Sequence, residues 1–171
     1  MYNSEPELTS EVIVGMPPAT STEQLWFMNT LHTVRVRHDE GEDGISVMET
    51  LAPHGDSPPL HVHQTEDEAF HVLEGELRMR AGDTELTIGA GETLLAPKGV
   101  PHTYRVESPA GARWLVITTR GDFERFVHAL SRPAERPELP APQGPPTPEQ
   151  VDTLAAAARD HGIELVGPPL G

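Results

Sequence analysis

Apolar and polar residues alternate in short runs over most of residues 31–119, and glycine or proline separates many of these runs. Alternation with a period of two is typical of a β-strand that has one face in a core and the other in solvent. Ala81-Gly82-Asp83-Thr84 lies between two such runs and predicts a hairpin turn. Many short strands at close spacing predict an all-β antiparallel sandwich or barrel. The runs are LHTVRVR (31–37), GISVMETL (44–51), AFHVLEG (69–75), ELRMRAGDTELTI (76–88) and RWLVITT (113–119).

The pattern changes after Gly121. Phe123, Phe126, Val127 and Leu130 follow the spacing of one helical face, and Asp122 before them can cap the first turn. A short helix is therefore expected here. The next segment, residues 132–148, holds seven prolines and is expected to run extended over the surface.

A second helix is expected to begin at Thr147-Pro148-Glu149-Gln150. This sequence combines a capping-box pair with proline at the first helical position, and the helix should end near Gly162. The tail at 163–170, IELVGPPL, is apolar enough to dock on its own body or on a partner subunit. We divide the chain into a flexible polar tail (1–11), a β-domain (12–121) and a helical and proline-rich extension (122–171).

Charge and composition exclude several classes of partner and site. The 171 residues include 12 basic and 27 acidic side chains, for a net charge of −15, which repels phosphate backbones and anionic lipid headgroups. Nucleic acid and membrane surfaces are therefore not expected partners. Because the chain has no cysteine, any metal must be held by imidazole and oxygen ligands. No segment has the pattern of a signal peptide or a membrane span, so a cytoplasmic protein is expected.

The stretch PLHVHQTEDEAFHVLEG (59–75) carries the clearest chemical signal. In a strand, residues i and i+2 point to the same side, so His61 and His63 should share one face. Glu68 opens the next run and could face the same interior. Two imidazoles and a carboxylate can hold a divalent transition metal and leave coordination positions open.

Glycines frame these residues in a longer pattern, G-x5-H-x-H-x4-E-x6-G, which runs from Gly55 to Gly75. A second pattern, G-x5-P-x-G-x2-H, runs from Gly91 to His102. The two blocks resemble the two conserved motifs of the cupin superfamily, over about residues 25–120. One departure is Val106, which stands where the second motif usually closes with asparagine.

The resemblance implies a cupin double-stranded β-helix, which is a jelly-roll barrel, here with short C-terminal helices. It implies that His61, His63, Glu68 and His102 bind one divalent transition metal ion, which could be iron, nickel, manganese, cobalt, copper or zinc. The paired subunits common in this superfamily imply a homodimer.

Within the superfamily, LHVHQTEDEAFHVLEGEL and the C-terminal segment most resemble the single-domain quercetinase-like proteins. This resemblance implies a metal-dependent dioxygenase that acts on a small flavonol-like or enolisable hydroxy-carbonyl substrate. Glu68 would then serve both as ligand and as general base. The alternatives are a metal-dependent isomerase, cyclase or decarboxylase that does not use oxygen, and a cupin that binds a small molecule without turnover.

Parity along the strands indicates which other side chains face the interior. Phe70 and Val72 share the parity of Glu68 and are expected to form an apolar wall of a substrate pocket. Tyr104 shares the face of His102, where it could bind a substrate by a hydrogen bond or fill the core. His71 should lie on the opposite face, outside the cavity. The other five histidines have no partner at ligand spacing and are interpreted as ordinary: His32, His38, His54, His128 and His161.

Overall fold

The computed structural model describes residues 23–144 and 146–171, so the predicted tail at 1–11 and the predicted start of the β-domain at Val12 lie outside the described residues. The described residues form twelve strands and two helices. In chain order these are β1 Gln24–Phe27, β2 Thr30–Val36, β3 Ser46–Ala52, β4 Pro59–His63, β5 Glu68–Glu74, β6 Glu76–Ala81, β7 Thr84–Gly89, β8 Thr93–Ala96, β9 His102–Val106, β10 Ala112–Thr118, α1 Asp122–Leu130, β11 Arg132–Pro133, α2 Pro148–Asp160 and β12 Ile163–Pro169.

The strands form two antiparallel sheets in a jelly-roll arrangement. One sheet has the order β11-β1-β2-β3-β10-β5-β8, and the other has the order β12-β4-β9-β6-β7. The predicted all-β class is confirmed. Within the described residues, however, the sheets remain open at their edges and do not close into a continuous barrel.

Period-two alternation decides which side chains enter the core. Buried and partly buried residues alternate along the whole of β3 and β10 and along most of β5. The buried set from both sheets includes Val72, Leu77, Met79, Val106 and Trp114, which form one apolar cluster. The predicted hairpin is also present, since Ala81 pairs with Thr84 across the two-residue turn between β6 and β7.

Helix α1 begins one residue earlier than a cap at Asp122 would require. Asp122 is the first helical residue, while Gly121 occupies the N-cap position with φ of 72° and makes no side-chain hydrogen bond. The prediction that Asp122 caps the helix is therefore wrong. Instead, the buried carboxylate of Glu66 accepts hydrogen bonds from the backbone N–H groups of Asp122 and Phe123.

Helix α2 has the predicted capping box. The N–H of Gln150 donates to Thr147 Oγ1 at 3.3 Å, and the N–H of Thr147 donates to Gln150 Oε1 at 2.8 Å. The helix ends at Asp160, close to the predicted stop at Gly162. The apolar tail then docks on its own chain as β12, which pairs with β4.

No helix among the described residues combines the length and the hydropathy needed to cross a bilayer.

Candidate metal centre

Three histidines and one glutamate from three strands meet between the sheets. His61 and His63 lie on β4 at positions i and i+2, and their ring centroids are 5.2 Å apart. His102 opens β9 and pairs directly with His61 across the two strands. Glu68 enters from β5 of the other sheet. One candidate ligand atom from each of the four residues lies within 4.8 Å of the others.

The Nδ1 atom of each imidazole is held by an oxygen acceptor. The three contacts are His61 Nδ1 to Pro59 O at 2.8 Å, His63 Nδ1 to Glu66 Oε1 at 2.8 Å, and His102 Nδ1 to Val100 O at 3.0 Å. A carbonyl or carboxylate oxygen only accepts, so each Nδ1 must carry the proton. In the neutral ring, Nε2 then keeps its lone pair for a cation.

The Nε2 atoms of His63 and His102 lie near the Glu68 carboxylate. Without a cation, these atoms do not all find a hydrogen-bond partner. His102 Nε2 lies 2.8 Å from Glu68 Oε2, and His63 Nε2 lies 3.3 Å from the same oxygen. His63 Nε2 is buried and makes no hydrogen bond among the described residues. Nitrogen and oxygen lone pairs that converge in this way fit a divalent metal, which would satisfy all of them at once.

Burial and charge act in opposite directions on these groups. Burial and the neighbouring His102 lower the pKa of His61 to about 3, so this ring is neutral near pH 7. Burial alone would raise the pKa of Glu68, but the adjacent imidazoles outweigh it and lower that pKa to about 2. Burial likewise opposes charge on His63, but the Glu68 and Glu66 carboxylates raise its pKa above the ordinary value. A neutral imidazole and an ionised carboxylate are the forms that bind metals.

A cavity of about 290 Å³ adjoins this cluster and is lined by His61, His63 and Glu68. This volume is at the lower end of the range for small-molecule sites, roughly 300–1,000 Å³. Most of the cavity wall is apolar or aromatic. Its roof comes from the C-terminal extension: Phe123 and Phe126 of α1, Val151 and Leu154 of α2, and Ile163 and Leu165 of β12.

Two of the three predicted pocket residues line this cavity. Phe70 and Tyr104 do so, with their ring centroids 6.3 Å apart. Val72 points inward as its parity predicts, but it is 0% exposed and belongs to the packed core rather than to the cavity lining. Two residues further along β5 than Phe70, the space between the sheets is already filled. His71 faces outward and its Nδ1 contacts Thr93 Oγ1 at 2.8 Å.

The sequence spacing predicts an ordinary role for His32, yet this histidine lines the cavity and is only 4% exposed. Its Nε2 lies 3.0 Å from Thr30 Oγ1, and its Nδ1 lies 3.1 Å from Thr50 Oγ1. Thr30 Oγ1 donates to Phe27 O at 2.7 Å, so it accepts from His32 Nε2–H, and Nδ1 accepts from Thr50. Burial lowers the pKa of His32 to about 4, which keeps the ring neutral.

Two carboxylates at the site were not found from sequence. Asp56 lines the cavity and accepts a hydrogen bond from the Tyr104 hydroxyl at 3.0 Å. Glu66 lies behind His63 and is 0% exposed. Asp56 directly follows Gly55 of the first motif, and Glu66 lies three residues after His63, but neither spacing alone distinguishes a site residue from an exposed acid in a loop.

Comparison with known proteins agrees with this geometry. The family described as "Cupin domain" matches residues 47–118, which contain all four residues of the cluster. The chain is 28% identical over 105 residues to the quercetin 2,3-dioxygenase of Bacillus subtilis. The alignment covers 61% of this chain and 31% of that protein, so the chain spans about a third of its relative's length.

Two solved structures resemble the fold. A variant of the oxalate decarboxylase of Bacillus subtilis gives a TM-score of 0.56 at 20% identity, covering 71% of this chain and 34% of that one. A predicted oxalate decarboxylase of Thermotoga maritima gives a TM-score of 0.52 at 18% identity, covering 58% of this chain and 91% of that one. The two motifs, the jelly-roll sheets and the matching family model together identify residues 47–118 as a cupin domain.

Proposed function

We propose that this protein is a metal-dependent dioxygenase whose substrate carries an acidic hydroxyl next to a carbonyl, as in a flavonol. The observation that carries this proposal is the convergence of three imidazoles and one carboxylate beside an apolar cavity. The similarity to a quercetin 2,3-dioxygenase supports the reaction class. In the reaction of a flavonol, both atoms of dioxygen would enter the ring-opened product and carbon monoxide would leave.

We assign His61, His63, Glu68 and His102 as the ligands of one divalent transition metal ion. Iron, nickel, manganese, cobalt, copper and zinc all accept this set of nitrogen and oxygen ligands. When bound, any of these metals would supply Lewis acidity toward the substrate oxygens, and all of them except zinc would also supply redox chemistry toward dioxygen. Four protein ligands leave room for a small molecule at metals that accept five or six ligands.

Glu68 is the proposed general base. It is the only carboxylate of the cluster, and it contacts His63 and His102 from the strand opposite them. It would accept the proton of the substrate hydroxyl, which leaves an enolate oriented in the cavity. The imidazoles carry their protons on Nδ1 and would give their Nε2 lone pairs to the metal, so they are less suited to receive that proton.

The cavity wall supplies orientation and excludes water. Phe70 and Tyr104 are the proposed substrate contacts on the strands. Phe123 and Phe126 of α1 line the same cavity and would also contact the substrate. A dry apolar enclosure strengthens electrostatic interactions at the reacting atoms and limits hydrolysis of reactive intermediates. We assign Val72 a packing role, in which it supports the wall from behind.

Asp56 and Tyr104 give the cavity a second polar contact. The Tyr104 hydroxyl donates to Asp56 Oδ2, and among the described residues Asp56 Oδ1 has no hydrogen-bond donor. A substrate hydroxyl could therefore donate to Oδ1. This arrangement favours a substrate with oxygen functions at two places, one for the metal and one for Asp56.

Oxygen consumption tests the proposed function. Metal-loaded protein is mixed with quercetin in an oxygen electrode, and carbon monoxide is collected by its binding to reduced myoglobin. We expect one dioxygen consumed and one carbon monoxide released per flavonol, and no turnover after chelation of the metal. Equal turnover under argon would contradict a dioxygenase and would favour an isomerase, cyclase or decarboxylase.

The predicted homodimer and cytoplasmic location extend this proposal. The apolar tail at 163–170, which could have docked on a partner subunit, pairs with β4 of its own chain, so any contact between subunits would need another surface or the outer edge of β12. Light scattering during size-exclusion chromatography measures the subunit number directly.

A further inference from the structure

Glu66 connects the candidate metal centre to the helix that covers the cavity. Its Oε1 accepts from His63 Nδ1 at 2.8 Å and from the backbone N–H of Phe123 at 2.8 Å. Its Oε2 accepts from the backbone N–H of Asp122 at 2.9 Å. One carboxylate therefore binds the imidazole of a proposed ligand and the first turn of α1.

The environment of Glu66 explains how a carboxylate can be stable there. A buried carboxylate needs hydrogen-bond donors to replace water, and Glu66 has three of them at 0% exposure. Two of the donors are N–H groups at the N-terminus of α1, where the helix dipole favours negative charge. Gly121 lets the chain turn immediately before these groups, with φ of 72°. The helix and the carboxylate thus stabilise each other.

The same helix forms part of the cavity roof. Phe123, whose N–H binds Glu66, has its ring centroid 6.2 Å from that of His63. Phe126, one turn further along, also lines the cavity. Any shift of the His63 ring would move the acceptor on which the first turn of α1 depends.

We propose that Glu66 is a positioning residue that couples metal binding at His63 to the placement of helix α1 over the cavity. This inference rests on the proposed metal site. Glu66 holds the His63 proton on Nδ1, so that Nε2 faces the metal. In return, a metal that fixes the His63 ring also fixes Glu66 and the first turn of α1.

The substitution Glu66→Gln tests this coupling. A glutamine amide has only one acceptor oxygen, so it cannot accept from both His63 and the two N–H groups of α1 in either orientation. Loss of such an outer partner typically weakens metal binding by about 10- to 100-fold. We expect a loss of this size for Co²⁺, measured by competition with a chelator, together with a changed visible spectrum of the bound cobalt.

Glu124→Gln is the matched control. Glu124 is also 0% exposed and holds α1 to the body, through the N–H and Nδ1 of His38 at 2.9 and 3.1 Å. Its carboxylate makes no hydrogen bond to a cluster histidine. The control should therefore bind Co²⁺ within about threefold of the unsubstituted protein, whatever its effect on stability. An equal loss of affinity in both variants would overturn the specific role of Glu66.

Hydrogen exchange in the unsubstituted protein gives a second test that does not depend on whether the variant folds. Cobalt binding should slow exchange of the Asp122 and Phe123 amides of the unsubstituted protein several-fold. Metal binding that leaves these amides unchanged would overturn the coupling but not the metal site. Failure of the unsubstituted protein to bind Co²⁺ would overturn the metal site and this inference with it.

Discussion

His61 and His102 lie opposite each other on neighbouring strands β4 and β9, and their ring centroids are 4.5 Å apart. Because the two positions are paired in the sheet, the backbone fixes the approach of the two rings. Hydrogen bonds from Nδ1 to Pro59 and Val100 then fix each ring's orientation. The candidate centre is therefore preorganised by the strands rather than assembled by a flexible loop.

Removal of either ring should abolish metal retention. In His61→Ala or His102→Ala, one of the four proposed ligands is lost, and a neighbour on the paired strand cannot replace it. We expect metal content, measured by elemental analysis after dialysis, to fall from near one per chain to a small fraction. His71→Ala is the control, since that ring contacts Thr93 on the outer face and should leave metal content unchanged. Full occupancy in both ligand variants would contradict the assignment.

Much of this site could be predicted because it depends on local spacing. The i and i+2 positions of His61 and His63 define one strand face, and the motif spacing indicates that Glu68 and His102 join them. Glu66 and His32 could not be found in this way, because their roles depend on contacts with distant segments. Glu66 binds the first turn of α1, 56 and 57 positions away in the chain, and His32 binds Thr50 on the adjacent strand.

The fold shows the same division between local and distant contacts. Alternation along β5 correctly places Val72 on the inner face but does not state how deep in the core that position lies. The capping box of α2 is contained in four successive residues and was predictable. The N-terminus of α1 is satisfied by Glu66 from another part of the chain, so the local sequence led to the wrong cap.

The position of Val72 leads to a second prediction. In Val72→Ala, the loss of buried methyl groups should lower the free energy of unfolding by about 1–3 kcal/mol, because the core around Trp114 cannot fully close. Substrate KM should change little, since Val72 is not part of the cavity lining. Urea unfolding and steady-state kinetics measure the two effects. A raised KM with unchanged stability would instead place Val72 at the substrate.

The Asp56–Tyr104 pair leads to a third prediction. Burial raises the pKa of Asp56, although the hydrogen bond from Tyr104 opposes this shift. Burial and the charge of Asp56 raise the pKa of Tyr104 well above its ordinary value, so the phenol remains a donor. The pair should therefore keep one Asp56 oxygen occupied and present the other to a substrate hydroxyl.

Asp56→Asn replaces that acceptor and should raise KM about tenfold or more for a substrate that carries the second hydroxyl, as expected for one hydrogen bond to a charged group. Metal content should stay near that of the unsubstituted protein. The matched comparison is 3-hydroxyflavone, which keeps the hydroxyl and carbonyl of quercetin but lacks its other hydroxyls and should be affected less. An equal rise in KM for both compounds would rule out recognition of the second hydroxyl by Asp56.

Buried His32 makes stability depend on pH. Its pKa in the folded protein is about 4, against an ordinary value of 6.5, so the unfolded chain takes up a proton at a higher pH than the folded protein. The stability gained from the neutral buried ring is complete above pH 6.5 and is lost as the pH falls toward 4. For a shift of this size the loss between pH 7 and pH 5 is about 2 kcal/mol.

The substitution His32→Gln removes this titration while an amide can still donate to one threonine and accept from the other. Urea unfolding in the presence of a chelator, at pH 7 and at pH 5, measures the effect without a contribution from metal release. The decrease in unfolding free energy between the two pH values should be smaller in His32→Gln by about 2 kcal/mol. The contributions of all other ionisable groups are common to both proteins and cancel in this comparison. An identical decrease in the two proteins would mean that His32 is protonated in the folded state at pH 5, which would contradict a ring held neutral by burial.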